Sequence, residues 1–294
     1  MTQSTSTTPT IGVTAATGQL GQLVVAALLR RGVPADHIVA IVRTPSKAAD
    51  LAAQGVTVRQ ADYHQPQSLQ TALQGVQNLL LISSNDFQDR PGQHRNVIEA
   101  AREAGVQRVA YTSILNADTS TMLLAADHQA TEQALRASGV TYTLLRNGWY
   151  SENYTGSAAQ TVQNGVLLGS AGEGALNPAA REDYADAAAV VLSAPGHDNA
   201  TYELAGDTAL TLPQIAAEYA ARSGRSVEYR DLPEQAYADT LKSYGLPEAL
   251  AAVFANSDSG IARGELGTDR RDLSTLIGRP TTPFGDTAAT ALQG

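Results

Sequence analysis

The chain has 294 residues, a net charge of −9 and 43% apolar content, with 17% charged residues. That length suits one large domain with a smaller appendage, and the negative balance argues against nucleic acid, whose phosphates demand a basic face. The absence of cysteine excludes disulfides, thiolate nucleophiles, Cys-ligated zinc and iron–sulfur clusters, and no apolar run reaches the ~18 residues needed to cross a membrane.

Residues 1–10 form a polar Ser/Thr tract with neither a basic start nor an apolar segment. They read as a disordered tail, not a secretion signal, so a cytoplasmic location is expected. From Ile11 to Gly21 a short apolar run (Ile11, Val13) stops at small residues, and a helical pattern begins at once with Leu20, Val24, Val25, Leu28 and Leu29. This is a strand, a tight turn and a helix N-terminus, whose free amides and positive dipole end suit a pyrophosphate. Gly18 lets the backbone approach the phosphates and Gly21 lets the helix pack on its strand. The dinucleotide fingerprint begins with glycine, and here that place is Ala15, after Thr14. The methyl group is expected to narrow the turn and crowd the diphosphate.

Apolar runs then alternate with amphipathic helices. Strands are expected at 11–14, 38–42, 56–59, 78–83, 107–113 and 141–145, and helices at 19–31, 46–54, 66–74, 91–104 and 127–138. Several runs are apolar on both faces, as covered parallel strands must be. Gly32, Gly55, Gly75, Gly105 and Gly139 sit where helices should stop. The fold class is α/β, a doubly wound parallel sheet of Rossmann type with right-handed crossovers. It forms a dinucleotide-binding domain over 11–150, followed by a smaller substrate-side α/β region over 151–294 that partly returns to the first. In that region we expect a helix over 150–164, a short run at 166–168, a helix over 183–194 and a strand at 201–204. A helix over 211–222, the run Val227–Tyr229 and several Ala-rich helices follow.

The residue closing the second strand decides which adenosine ribose is accepted. That strand ends at Val42, Arg43 follows, Lys47 lies one helical turn on, and no acid stands at Val42, Arg43 or Thr44. NADPH is therefore expected over NADH, unless Arg43 is a solvated surface charge. The lysines are Lys47 and Lys242, preceded four residues earlier by Arg43 and Ala238. The Tyr-x-x-x-Lys proton relay of most short-chain dehydrogenases is absent. No Gly-x-Ser-x-Gly elbow and no P-loop occurs, and the histidines show no His-x-x-x-His spacing, so no metal site is expected. What survives is hydride transfer to an acceptor needing little acid help, such as a quinone.

The segments 58–63, 79–84, 94–98, 110–113 and above all Tyr142–Tyr154 together resemble the NmrA-like atypical short-chain dehydrogenases. Within that family the likeness is greatest to type 2 bacterial NADPH:quinone oxidoreductases, with triphenylmethane reductases as near relatives. The resemblance implies that Thr17, Gly18, Gln19 and Leu20 contact the pyrophosphate and Arg43 the 2′-phosphate. It implies that Ser83, Ser84 and Asn85 lie along the nicotinamide half, and that Asn147, Gly148, Trp149, Tyr150, Ser151 and Glu152 form the loop around the ring. Asn153 matches an asparagine placed at the acceptor pocket. Trp149, Tyr150 and Tyr154 put three aromatic rings within six positions of a chain poor in them; they suit stacking on a flat acceptor, or else they seal the two regions together. His128 stands in place of the relay lysine and Leu124 in place of its tyrosine. His128 either holds the ribose or relays a proton, or it caps or faces solvent at the start of its helix. Asp62 and Tyr63 fit beside the adenine, although an acid there is also a common turn former. Asp183 reads as a helix-dipole partner and Arg181 as a salt-bridge donor.

The expected activity is NADPH-dependent reduction of quinones or similar flat, electron-poor aromatics, without flavin or metal. A cofactor-binding redox sensor that does not turn over is the alternative, and an isomerase holding NAD is disfavoured by Arg43. The expected partner is a small quinone-like molecule, with no nucleic acid and no membrane insertion, and a homodimer is the assembly to test.

Overall fold

The computed structural model describes residues 8–86 and 88–293. Residues 1–7 of the tail expected over 1–10 lie outside them. Its end is held, since the Thr10 carbonyl accepts from the Gln77 and Asn78 amides and the Thr8 carbonyl lies 2.8 Å from His37 Nδ1.

A seven-stranded sheet carries the architecture. In chain order its strands are β1 (Ile11–Thr14), β2 (Ile38–Val42), β3 (Thr57–Gln60), β4 (Asn78–Leu81), β5 (Arg108–Ile114), β6 (Thr141–Asn147) and, later, β9 (Ala200–Leu204). Their spatial order is β3-β2-β1-β4-β5-β6-β9. β1 pairs in parallel with β2 (Ile11 with Ile38) and with β4 (Ile11 with Asn78), and the β2–β3 and β4–β5 pairs are parallel too. The chain reverses direction across the sheet at β1, so the strand order switches there, at the place where such sheets open a ligand crevice. β1, β2 and β5 are buried along their whole length, which is why their sequences are apolar runs rather than alternations.

The crossovers run through α1 (Gln19–Arg30), α2 (Ala49–Ala53), α3 (Pro66–Ala72), α4 (Arg90–Glu103) and α5 (Leu123–Ala137). The expected helix stops are real, with φ between 72° and 86° at Gly32, Gly55, Gly75, Gly105 and Gly139. Three expectations fail. The helix foreseen at 46–54 starts as a 3₁₀ turn, Pro45–Ala48, before α2. The strand foreseen at 78–83 ends at Leu81, because beyond it side chains replace the ladder partners. The helix foreseen at 150–164 is two short ones, α6 (Glu152–Thr155) and α7 (Ala158–Asn164), parted at Gly156 and Ser157. Tyr150 instead forms a bridge with Ala179.

The remaining elements are β7 (Val166–Gly169), β8 (Ala175–Leu176), α8 (Arg181–Ser193), β10 (Leu210–Thr211), α9 (Leu212–Ser223) and β11 (Glu228–Asp231). α10 (Glu234–Ser243), α11 (Glu248–Ala262), α12 (Asp272–Ile277) and α13 (Phe284–Gln293) complete the chain. Two compact, interleaved units result. The first takes residues up to Ser113, Ala130–Leu145 and Ala185–Tyr202, and the second takes Ile114–Gln129, Arg146–Tyr184 and everything from Glu203. Each has its own apolar core, centred on Leu79, Leu81 and Tyr111 in the first and on Leu176, Leu212 and Tyr219 in the second. Among the described residues no helix is long and apolar enough to cross a membrane.

Candidate active site

A groove of about 430 Å³ opens in the first unit. Ala15, Thr17, Gly18, Gln19 and Leu20 line it from the turn after β1, Arg43 and Lys47 from beyond β2, Asp62 and Tyr63 from beyond β3, and Ser83, Ser84 and Asn85 from beyond β4. Residues scattered over about seventy positions thus meet at the carboxyl ends of four strands. Thr14 stands behind the wall, fully buried. Its hydroxyl donates to Leu80 O (3.1 Å) and accepts from the Ile82 amide (3.0 Å) and the Tyr63 phenol.

The turn is shaped by Ala15, whose φ of 47° is left-handed, an unusual state for a residue with a Cβ. In that state its carbonyl accepts from the Gly18 amide at 2.8 Å. A Cβ at Gly21 would lie 2.4 Å from the Ala15 oxygen and 2.7 Å from Ala16 Cα, so only glycine lets α1 pack on the turn. Gly18 caps α1 without a side chain and the first turn carries no acid, which leaves its amides and dipole facing the groove. Arg43 and Lys47 are both exposed and add positive charge at the end of β2.

The wall beyond β4 is held by groups that no local pattern announces. The Ser83 amide donates to Thr112 Oγ1 (2.8 Å) and the Ser84 amide to His94 Nε2 (2.9 Å), while Arg90 Nε donates to the Ser84 carbonyl (2.6 Å). His94 must be neutral to accept, and burial, aided by the Arg90 charge, pushes its pKa down to about 3. At the rim Gln93 donates to Asp86 Oδ2 (2.7 Å), with His64 Nε2 at 3.3 Å from the same oxygen. These hydrogen bonds, led by the Gln88 amide, hold the Asp86 carboxyl below the usual carboxylate range. Asp62 does form a turn, accepting from the His64 amide at 2.9 Å, and lines the groove as well.

The second unit contains a cavity of about 600 Å³. Trp149, Asn153 and Tyr154 line it from the loop after β6, facing Tyr237, Tyr244, Phe254 and Asp258. Trp149 meets Phe254 edge-to-face at 6.2 Å. Other residues of the same loop build its frame. Gly148 donates to Leu204 O at 2.7 Å, and the Tyr150 ring is gripped by the Arg181 guanidinium (4.7 Å) and the Tyr184 ring (5.1 Å). Asn147 Nδ2 donates to the Tyr150 phenol (3.3 Å), and burial raises the pKa of that phenol. Both Glu152 oxygens accept from the Arg181 amide at 3.0 Å, capping α8. Asn147 Oδ1, Ser151 Oγ and the Tyr154 hydroxyl are buried with no hydrogen-bond partner among the described residues.

The NmrA-like family matches residues 7–265. This chain belongs to it. The NmrA-like chain is 54% identical to quinone oxidoreductase 2 of Escherichia coli, over 95% of this chain and 97% of that protein. Its structure superposes at a TM-score of 0.93 on an E. coli NADPH-dependent quinone oxidoreductase complexed with NADPH, covering 95% of this chain and 99% of that one. A triphenylmethane reductase of Citrobacter sp., complexed with NADP(H), superposes at 0.91 with 41% identity, covering 96% of this chain and all of that one.

Two expectations for this NmrA-like chain are corrected by its helices. α5 begins at Leu123, not 127, so His128 lies in the second turn, 6% exposed, and neither caps the helix nor faces solvent. It is not among the residues lining the groove or the cavity, and neither is Tyr150. Leu124 packs against the core of the second unit, and buried Glu132 accepts from Ser113 Oγ at 2.6 Å. Asp183 does more than face a helix dipole. Fully buried, it accepts from the Thr282 amide (2.7 Å) and hydroxyl (3.1 Å) and pairs with Arg279 (2.7 Å), tying down the chain after α12. Arg181 stacks on Tyr150 instead of serving as the expected salt bridge.

Proposed function

We propose that this protein is an NADPH-dependent oxidoreductase that reduces quinones, or similar flat electron-poor aromatics, by direct hydride transfer. The single observation that carries the reading is the groove of the first unit, where uncapped α1 amides and two exposed cations converge, in a chain 54% identical to a quinone oxidoreductase. The groove fits NADPH. Thr17 to Leu20 would hold the pyrophosphate on the α1 amides, and Arg43 with Lys47 the 2′-phosphate. Asp62 and Tyr63 would flank the adenine, and Ser83 to Asn85 the nicotinamide half. When bound, the dinucleotide supplies the hydride.

The chain's own part is binding, orientation and exclusion of water. In this reading Trp149 and Tyr154 stack on the acceptor and the Asn153 amide donates to one of its oxygens. Asn147 and Tyr150 fix the loop behind them, with Gly148 allowing the close approach to Leu204 O and Glu152 closing α8. No Tyr/Lys relay takes part, because a reduced quinone spreads its charge over an aromatic ring. We read the protein as cytoplasmic and indifferent to nucleic acid, with a homodimer to be sought by light scattering.

Mixing the protein with NADPH and benzoquinone and following reduced-nicotinamide absorbance tests this. Protein-dependent oxidation is expected. Tight NADPH binding with no oxidation would replace the enzyme with a redox sensor.

A further inference from the structure

Asp258 occupies an unusual place. It sits on α11, 5% exposed, and lines the cavity of the second unit. Ser170 donates its amide to Asp258 Oδ2 at 2.9 Å, and among the described residues this is the carboxyl's one hydrogen bond. No lysine, arginine or histidine lines the cavity, and no other carboxyl does. The groups that bear on Asp258 electrostatically are the phenols of Tyr154 on α6, Tyr229 on β11 and Tyr237 on α10, and the Asp231 carboxylate on β11. None brings positive charge. Tyr229 already donates to Asp231 (2.6 Å), so it offers Asp258 nothing, while the Tyr154 hydroxyl is buried without a partner on the same cavity wall.

An acid in such a setting holds its proton. Burial, with the Asp231 charge adding to it, raises the Asp258 carboxyl to about 7, the Ser170 amide opposing only in part. Below that pH the group is a neutral hydrogen-bond donor; above it, a lone anion ringed by Trp149, Tyr154, Tyr237 and Phe254.

We propose that Asp258 is the acid of the acceptor cavity, donating its proton to the oxygen of a neutral carbonyl acceptor and, once ionised, favouring a delocalised aromatic cation in its place. The inference rests on the reading that the cavity receives the acceptor. A quinone that has accepted a hydride is a hydroquinone monoanion. The Asp258 O–H bond breaks, a new O–H bond forms on that anion, and the carboxylate regains its proton from water, so charge and atoms balance. An aromatic cation such as a triphenylmethane dye takes the hydride at carbon and needs no proton. Its binding is helped by the carboxylate and by the surrounding ring faces.

Two readouts test this between pH 5.5 and 9. The first is benzoquinone reduction by NADPH for wild type and Asp258→Asn. Wild-type kcat is expected to fall about tenfold per pH unit above about 7, whereas the variant is slower at pH 6 by tenfold or more and flat. The second needs neither cofactor nor turnover, because Trp149 is the sole tryptophan and lines the cavity. Quenching of its fluorescence by a cationic triphenylmethane dye should show wild-type affinity rising about tenfold from pH 6 to pH 8, a step that Asp258→Asn removes. If NADPH is left unoxidised at every pH, the activity reading falls and the dye titration alone decides on Asp258. Dye affinity flat with pH in wild type, or the same slope in both proteins, overturns the proposal; the wild-type titration stands even if the variant fails to fold.

Discussion

Ala15 offers the sharpest test of how the turn is built. Its φ of 47° costs an L-residue roughly 1–2 kcal/mol relative to glycine, while glycine gives back about 0.4–1 kcal/mol through the larger entropy of the unfolded chain. Ala15→Gly should therefore stabilise the protein by roughly 0.5–1 kcal/mol, about 1–3 °C in melting temperature for a chain of this size. Ala15→Val should destabilise it by more than 1 kcal/mol, because a β-branched residue tolerates this region least. The order Gly, Ala, Val reverses what strand propensity would give at the end of β1. Ala15 is also exposed and lines the groove, so removing its methyl should tighten NADPH binding and valine should weaken it. Urea midpoints and nicotinamide-fluorescence titrations on the three proteins read both effects. A valine variant as stable as wild type would show that residue 15 does not take the left-handed state, and the account of the turn would fall.

Arg43→Ala should raise the Michaelis constant for NADPH about 10–100-fold, the loss of one or two charge-assisted hydrogen bonds, and leave that for NADH unchanged; equal effects on both would remove Arg43 from the 2′-phosphate. His94, with its pKa lowered from 6.5 to about 3, refuses below pH 6.5 a proton that the unfolded chain accepts. Its contribution is therefore complete above pH 6.5 and declines as the pH falls towards 3. His94→Gln should flatten the loss of stability between pH 6.5 and 4.5 and, by freeing the Ser84 amide, weaken NADPH binding at pH 7. Unfolding midpoints at the two pH values with a binding titration check both. Asp183→Ala removes the fully buried partner of Arg279 and Thr282 and should cost about 2–4 kcal/mol. Limited proteolysis should then cut beyond Arg279, and a variant as resistant as wild type would contradict the tether.

The parallel sheet was legible because several of its strands are short runs that are apolar on both faces, separated by helices that stop at glycine, all properties of neighbours along the chain. The glycine-bearing turn after β1 and the basic residue after β2, which line one groove, were legible for the same reason, since each is recognised by what lies a few residues away. The splitting of the helix foreseen at 150–164 was not, because Tyr150 leaves the helix to bridge Ala179, and that partner is distant in sequence. His128 misled because the pattern put the start of α5 four residues late, which turned a buried second-turn residue into an apparent cap.

By itself, then, the sequence determined the fold class, the sheet edge at which the groove opens, and the absence of a Tyr/Lys relay, since each follows from local periodicity or from which residue types the chain contains. Only the tertiary structure decided which side chains hold the Ser83–Asn85 wall, which loop residues face the cavity and which brace it, and that Asp258 lies buried there without a cation. Those depend on contacts between residues far apart in sequence, where burial and the lack of a countercharge, not residue identity, set what a group can do.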